Sequence, residues 1–124
     1  DIALTVLASV IGRNVKENRV LLDAGALALS KDRSTQATPH DSGYGEVWDL
    51  DGKPGFGNCI VERVYQEHGV VICSDPAQMD LLPLGGKVRV SPNHACITAA
   101  AHDRYHVVDG GREVIAEWDR VNGW

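Results

Sequence analysis

The sequence predicts a mainly β fold, a compact barrel or sandwich, and three observations predict it. Valine, isoleucine and leucine recur in short runs, mostly with a period of two, as strands require. Glycine, proline, asparagine and aspartate punctuate the chain between those runs, leaving no stretch suited to a long amphipathic helix. The 124 residues are the size of one ordinary domain, enough to bury roughly two-thirds of the unfolded surface around one core. A single β domain over residues 1–124 is the expectation.

The elements follow in order. "ALTVLASVI" (residues 3–11) carries apolar side chains on both parities, which predicts a strand covered on both faces. "GRNVKEN" (12–18) supplies turn residues, and "RVLLDAG" (19–25) returns as a second strand closed by glycine, so the pair makes a hairpin. The aspartate of "LLDAG" is expected to be buried, with a backbone N–H or a cation as its partner. "ALALSKDRS" (26–34) suits a helical turn or a continued strand, because its period is too short to separate the two. Residues 38–58 are rich in glycine and proline and leave room only for a short strand near "GEVWDL". "CIVERVYQEHGVVICS" (59–74) alternates, turns at Gly69 and returns as a second hairpin. "PLGGKVRVS" (83–91) leads into a strand through Val88 and Val90, and "YHVVDGGREVIAEW" (105–118) reads as two strands around Gly110 and Gly111.

Composition excludes several classes. A net charge of -5 argues against the basic footprint that phosphate backbones require, so no nucleic-acid partner is expected. No apolar run reaches the roughly 18 residues of a membrane-crossing helix, and the N-terminus lacks the basic region of a secretion signal, so no membrane association is expected either. Cys59, Cys73 and Cys96 form an odd set with no C-x-x-C pair, which suits a reducing, cytoplasmic setting better than a disulfide framework. The chain opens on Asp1 and enters an apolar run at once, which predicts a piece of a longer protein.

The glycine-rich pieces lack the spacing of a dinucleotide or P-loop. "DLDGKPGFGNCI" (49–60) starts like a calcium loop but has Ile60 where a bidentate glutamate is needed. Glu67 and His68 sit before a turn glycine and read as a solvated turn. The stretch from Val88 to Gly111 is richer: it holds three of the five histidines, one cysteine and two aspartates. His94 and Cys96 stand two residues apart on what reads as extended chain, which would put both side chains on one face with Cα atoms about 6.6 Å apart. Imidazole and thiolate together suit zinc or another borderline-soft divalent ion. His102 and Asp103, with His106 nearby, are candidates to complete or orient such a site. The residues alone leave two readings open, an open metal site or a polar loop that contains His and Cys.

"VSPNHACITAAAHDRYHVVDGG" followed by "AEWDRVNGW" resembles the C-terminal end of the D-threonine aldolase and D-serine dehydratase family, pyridoxal-phosphate enzymes of the alanine-racemase-like fold. "LTVLASVIG", "LLDAGALALSKD", "GYGEV" and "EHGVV" resemble the family's other blocks in the same order. The resemblance implies the β domain that closes the active site of an N-terminal α/β barrel, commonly across a homodimer. It implies His94 and Cys96 as ligands of one divalent metal, zinc preferred and manganese the alternative, acting on a D-β-hydroxy amino acid. Aldolase, dehydratase and racemase chemistry all remain open. None of Lys16, Lys31, Lys53 and Lys87 stands in a barrel-like context, so the cofactor lysine, and with it the pyridoxal-phosphate barrel, is expected outside this chain. No complete catalytic set and no cofactor-binding residue is assignable within it, and the chain by itself is expected to be inactive. The alternative is a stand-alone β-barrel interaction or metal-binding module.

Overall fold

The computed structural model describes residues 2–121, so Asp1 and the last three residues of the "AEWDRVNGW" block lie outside the described residues. Among the described residues eight strands form: β1 (Val6–Asn14), β2 (Arg19–Leu22), β3 (Gly45–Trp48), β4 (Ile60–Val64), β5 (Gly69–Ile72), β6 (Lys87–Pro92), β7 (Arg104–Val107) and β8 (Ala116–Asp119). The first six close into a barrel in the order β1-β2-β5-β4-β3-β6, and β7 and β8 make a separate hairpin. Between a barrel and a sandwich, the structure is the barrel. Two short helices, α1 (Ala26–Leu29) and α2 (Ala95–Ala100), pack against each other.

Alternation decides what faces inward. Val6, Ala8 and Val10 of β1, Val20 and Leu22 of β2, Val61 of β4, Val71 of β5 and Val88 and Val90 of β6 are buried as one core. Leu29, Met79 and Leu82 join that core from outside the strands, Met79 from a 3-10 turn over Pro76–Leu81. That turn carries a capping box from Asp75 and Gln78 with Pro76 at its start, a signal present in "DPAQ" and passed over in reading the sequence.

Two sequence expectations change here. β1 is covered on one face only: Leu7 is 65% exposed and Ile11 42%. Apolar residues on both parities therefore mark a one-sided barrel strand with an uncovered outer face. Asp23 is exposed, not buried, but it has the expected backbone partner: its Oδ1 accepts the Ser9 N–H at 2.6 Å and ties β1 to the end of β2.

The junction after β2 shows why glycine is required there. Gly25 precedes α1, and a Cβ on it would lie 2.4 Å from the Tyr65 carbonyl oxygen and from the His68 nitrogen. That close approach lets the carbonyls of Tyr65 and Gln66 accept the N–H groups of Ala26 and Leu27 at 2.7 and 3.1 Å. The β4–β5 turn thus caps α1, satisfying N–H groups that no side chain reaches. Glu67 and His68 stay exposed on the same turn, as expected.

The β3–β4 loop folds on Asp49, whose Oδ1 accepts the N–H groups of Asp51 and Lys53 at 2.9 Å each. This carboxylate makes the turn. The tip of the β7–β8 hairpin docks on that loop: Arg112 makes a two-pronged pair with Asp51 at 2.8 and 3.0 Å, and Arg89 of β6 donates to the Gly111 carbonyl at 2.8 Å.

Candidate metal centre

β6 ends at Pro92, and the chain turns directly into α2. His94 is the residue that precedes the helix, with φ -140° and ψ 116°, and Cys96 is the second residue inside it. The pair is therefore not on extended chain, as its spacing suggested. The alanine-rich "ACITAA" has high helix propensity, and it takes over as soon as the strand ends. Both side chains are exposed.

Asn93 fixes this corner. Its Nδ2 donates to Thr35 Oγ1 and to the Gly43 carbonyl at 2.7 Å each, and its Oδ1 accepts the Ser34 N–H at 2.9 Å. One amide side chain thereby joins both ends of the α1–β3 loop to the end of β6. Asp41 adds to the brace: it pairs with Arg33, which also lies over the Tyr44 ring at 5.5 Å. The Gly43 N–H, against a smaller opposing effect of burial, holds the Asp41 carboxyl below its ordinary range, and Arg33 and Thr35 push the same way. Glu46 is also held low, since hydrogen bonds from Ser42, Trp48 and His40 outweigh the burial that would raise it.

Thr98 is the second brace. Its fully buried hydroxyl lies 2.8 Å from the Leu29 carbonyl and 3.1 Å from the His94 carbonyl, so it straps the end of α1 to the start of α2. Thr98→Val keeps the shape and removes the donor, leaving the Leu29 carbonyl unpaired in the interior. The expected cost is about 1–3 kcal/mol, read as a lower urea midpoint. An unchanged midpoint would mean that the strap carries no load.

His94 Nδ1 lies 2.9 Å from Asp32 Oδ2, a contact between the α1–β3 loop and the start of α2. Asp32 was missed in the sequence, where it stands far from the histidine amid "SKDRS". The other candidates scatter. The His102 ring nitrogen lies 3.1 Å from the Ala28 carbonyl, to which it donates, so its partner is the α1 backbone and not His94. Asp103 is exposed, and its backbone carbonyl accepts the Arg120 N–H at 2.8 Å. His106 pairs with Glu117 at 3.0 Å on the separate β7–β8 hairpin.

Among the described residues, no three His, Cys, Asp or Glu side chains converge so as to enclose an ion. What α2 offers is an exposed imidazole and an exposed thiol, a nitrogen and sulfur donor pair suited to a borderline-soft divalent ion with further positions open. The donors fit such a metal. The other two cysteines do not compete for it. Cys59 and Cys73, buried at the end of the β4–β5 ladder, place their sulfurs 2.8 Å apart as free thiols. Contact with Cys73 and then burial push the Cys59 thiol up, while contact with Cys59 holds the Cys73 thiol low; both sulfurs are buried and face each other, away from an incoming ion. All four lysines are exposed.

A family model described as "Putative serine dehydratase domain" matches residues 3–108. The chain belongs to the serine dehydratase domain family. Within that family, D-threo-3-hydroxyaspartate dehydratase from Delftia sp. is 40% identical over 132 residues, covering 100% of this chain and 33% of its own length. An alanine-racemase-like protein from Idiomarina loihiensis has a solved structure that superposes with a TM-score of 0.84 at 42% identity, over 97% of this chain and 32% of that one. The serine dehydratase domain described here thus spans about a third of the length of these relatives. Two solved forms of D-threo-3-hydroxyaspartate dehydratase are a cysteine-to-alanine variant in the metal-free form and a histidine-to-alanine variant, substituted two positions apart. Each has a TM-score of 0.81, at 35% and 37% identity, over 97% of this chain. D-threonine aldolase from Filomicrobium marinum is less similar, with a TM-score of 0.59 at 28% identity over 84% of this chain. A shorter relative also exists: an uncharacterized Mycobacterium tuberculosis protein is 33% identical over 111 residues, 87% of this chain and 74% of its own length. No helix among the described residues is long and apolar enough to cross a membrane.

Proposed function

We propose that this chain is the metal-carrying β domain of a longer pyridoxal-phosphate lyase that dehydrates D-β-hydroxy amino acids. The observation that carries the reading is the exposed His94 and Cys96 pair at the β6–α2 corner of a serine dehydratase domain. The metal-free cysteine variant of the Delftia dehydratase, two positions from its histidine counterpart, supports assigning the metal to such a pair. Dehydration is favoured over aldol cleavage because the dehydratase relative is 40% identical, whereas the aldolase structure is 28% identical.

His94 and Cys96 would hold the divalent metal, zinc in preference to manganese because a thiolate is one of the two donors. Bound there, the ion supplies Lewis acidity toward the substrate hydroxyl, while pyridoxal phosphate on the rest of the longer protein supplies the electron sink. This chain's own work is to present two ligands on a rigid corner and leave the remaining coordination positions open. Asn93 and Thr98 hold that corner against the loops around it. Leu7 and Ile11, exposed on the outer face of β1, give the rest of the protein or a second subunit an apolar surface to cover. The homodimer and the cytoplasmic setting belong to the same proposal.

A stand-alone β-barrel module is the second reading, and the Mycobacterium tuberculosis relative favours it, since this chain covers 74% of that protein. Product analysis separates the readings. The complete protein, given D-serine or D-threo-3-hydroxyaspartate with pyridoxal phosphate and zinc, is expected to release a 2-oxo acid and ammonia in equal amounts. Glycine and an aldehyde from a D-β-hydroxy amino acid would make it an aldolase. No turnover by a complete protein little longer than this chain would leave the module.

A further inference from the structure

The contact between Asp32 and His94 carries an inference that rests on the metal reading and deepens it. A neutral imidazole has one N–H and one lone pair, and the hydrogen bond made at one nitrogen determines which face is left as the donor to a metal. Asp32 Oδ2 lies 2.9 Å from His94 Nδ1; two lone pairs at that separation would repel and a carboxylate has no proton to give, so the contact itself places the proton on Nδ1 and the lone pair on Nε2. We propose that Asp32 is a positioning residue that fixes His94 as the Nδ1–H tautomer and presents Nε2 outward as the metal ligand.

Both partners are held in place independently of each other. The Asp32 N–H donates to Ser30 Oγ at 3.2 Å, and Ser30 is itself buried, with a positive φ of 74°. Two residues on, the Ser34 N–H is held by Asn93 Oδ1 at 2.9 Å, so the loop carrying Asp32 is pinned on either side. On the other side, the His94 carbonyl is gripped by Thr98. Arg33, the nearest guanidinium in sequence, is taken by Asp41 and does not neutralise Asp32. The His94 ring is 44% exposed, which leaves its outer edge open to an incoming ion. A carboxylate behind a ligating histidine also raises the basicity of the ring, and losing such a partner typically weakens metal binding about 10–100-fold.

The test uses this chain with zinc as the probe. Long-range ¹H–¹⁵N correlation spectra of the metal-free protein are expected to show His94 protonated at Nδ1 and bare at Nε2. In Asp32→Ala that signature should be lost and zinc affinity, read by competition with a chromophoric chelator, should fall 10–100-fold. Asp32→Asn can still accept through its amide oxygen, so it should keep the tautomer and recover most of the affinity. A parent chain with His94 protonated at Nε2, or an Asp32→Ala protein with the parent's affinity, would overturn the proposal. The parent spectrum and Asp32→Asn decide the matter even if Asp32→Ala fails to fold. His94→Ala in the same titration tells the two failures apart. If it binds zinc like the parent, the metal reading falls and takes this inference with it; if it loses zinc while Asp32→Ala does not, only the role of Asp32 falls.

Discussion

His94→Ala and Cys96→Ala are each expected to remove zinc from this domain without unfolding it. Four-ligand structural zinc sites are worth about 10–16 kcal/mol, which is roughly 3 kcal/mol per ligand and on the order of a 10²-fold change in affinity for each one lost. A site with only two protein ligands cannot absorb that loss. Both side chains are exposed and neither contributes to the core, so the thermal midpoint of the metal-free protein should stay within about 3 °C for Cys96→Ala. His94→Ala also gives up the Asp32 contact and should cost slightly more. With cobalt as the probe, the parent should show a sulfur-to-metal charge-transfer band that Cys96→Ala lacks. In the complete protein, both variants should lose most turnover while cofactor absorbance persists, because these residues act on the substrate side of the reaction. Full metal retention in both variants would refute the ligand assignment; loss of the cofactor would refute the division of labour.

The second large effect concerns the barrel itself. Leu22→Ala is expected to cost about 2–5 kcal/mol, since Leu22 is fully buried in the barrel and a cavity would remain where its side chain was. Against a typical domain stability of about 5–15 kcal/mol, that leaves a protein with a midpoint lower by roughly 10 °C or more. Leu7→Ala on neighbouring β1 is the control. Leu7 is 65% exposed, so its truncation should stay within about 0.5 kcal/mol. Urea unfolding of the two variants reads the difference directly. Equal losses would mean that the outer face of β1 is as buried as the inner, as apolar residues on both parities first suggested.

That contrast marks a general limit of reading this sequence. Alternation in "IVERV" identified a strand, because a period of two is local and each residue reports its own face. In "ALTVLASVI" both parities are apolar, and a strand covered twice cannot be told by pattern from one whose outer face awaits a covering surface. Asp23 was misjudged for a related reason: its apolar neighbours point inward, while its carboxylate turns out to the Ser9 N–H.

The sequence by itself determined that the protein is mainly β and where its two long hairpins turn, and it offered His94 and Cys96, two positions apart, as a candidate donor pair. Each of these rests on residues within a few positions of one another. Only the tertiary structure decided that six strands close into a barrel in the order β1-β2-β5-β4-β3-β6, and that His94 and Cys96 sit at the start of a helix. It alone brought Asp32 against His94, sent His102 to the α1 backbone, and placed the sulfurs of Cys59 and Cys73 side by side. The physical reason is the same in each case. Closure, and the meeting of side chains far apart in the chain, depend on how whole elements pack to bury one shared core, and no local period records that choice.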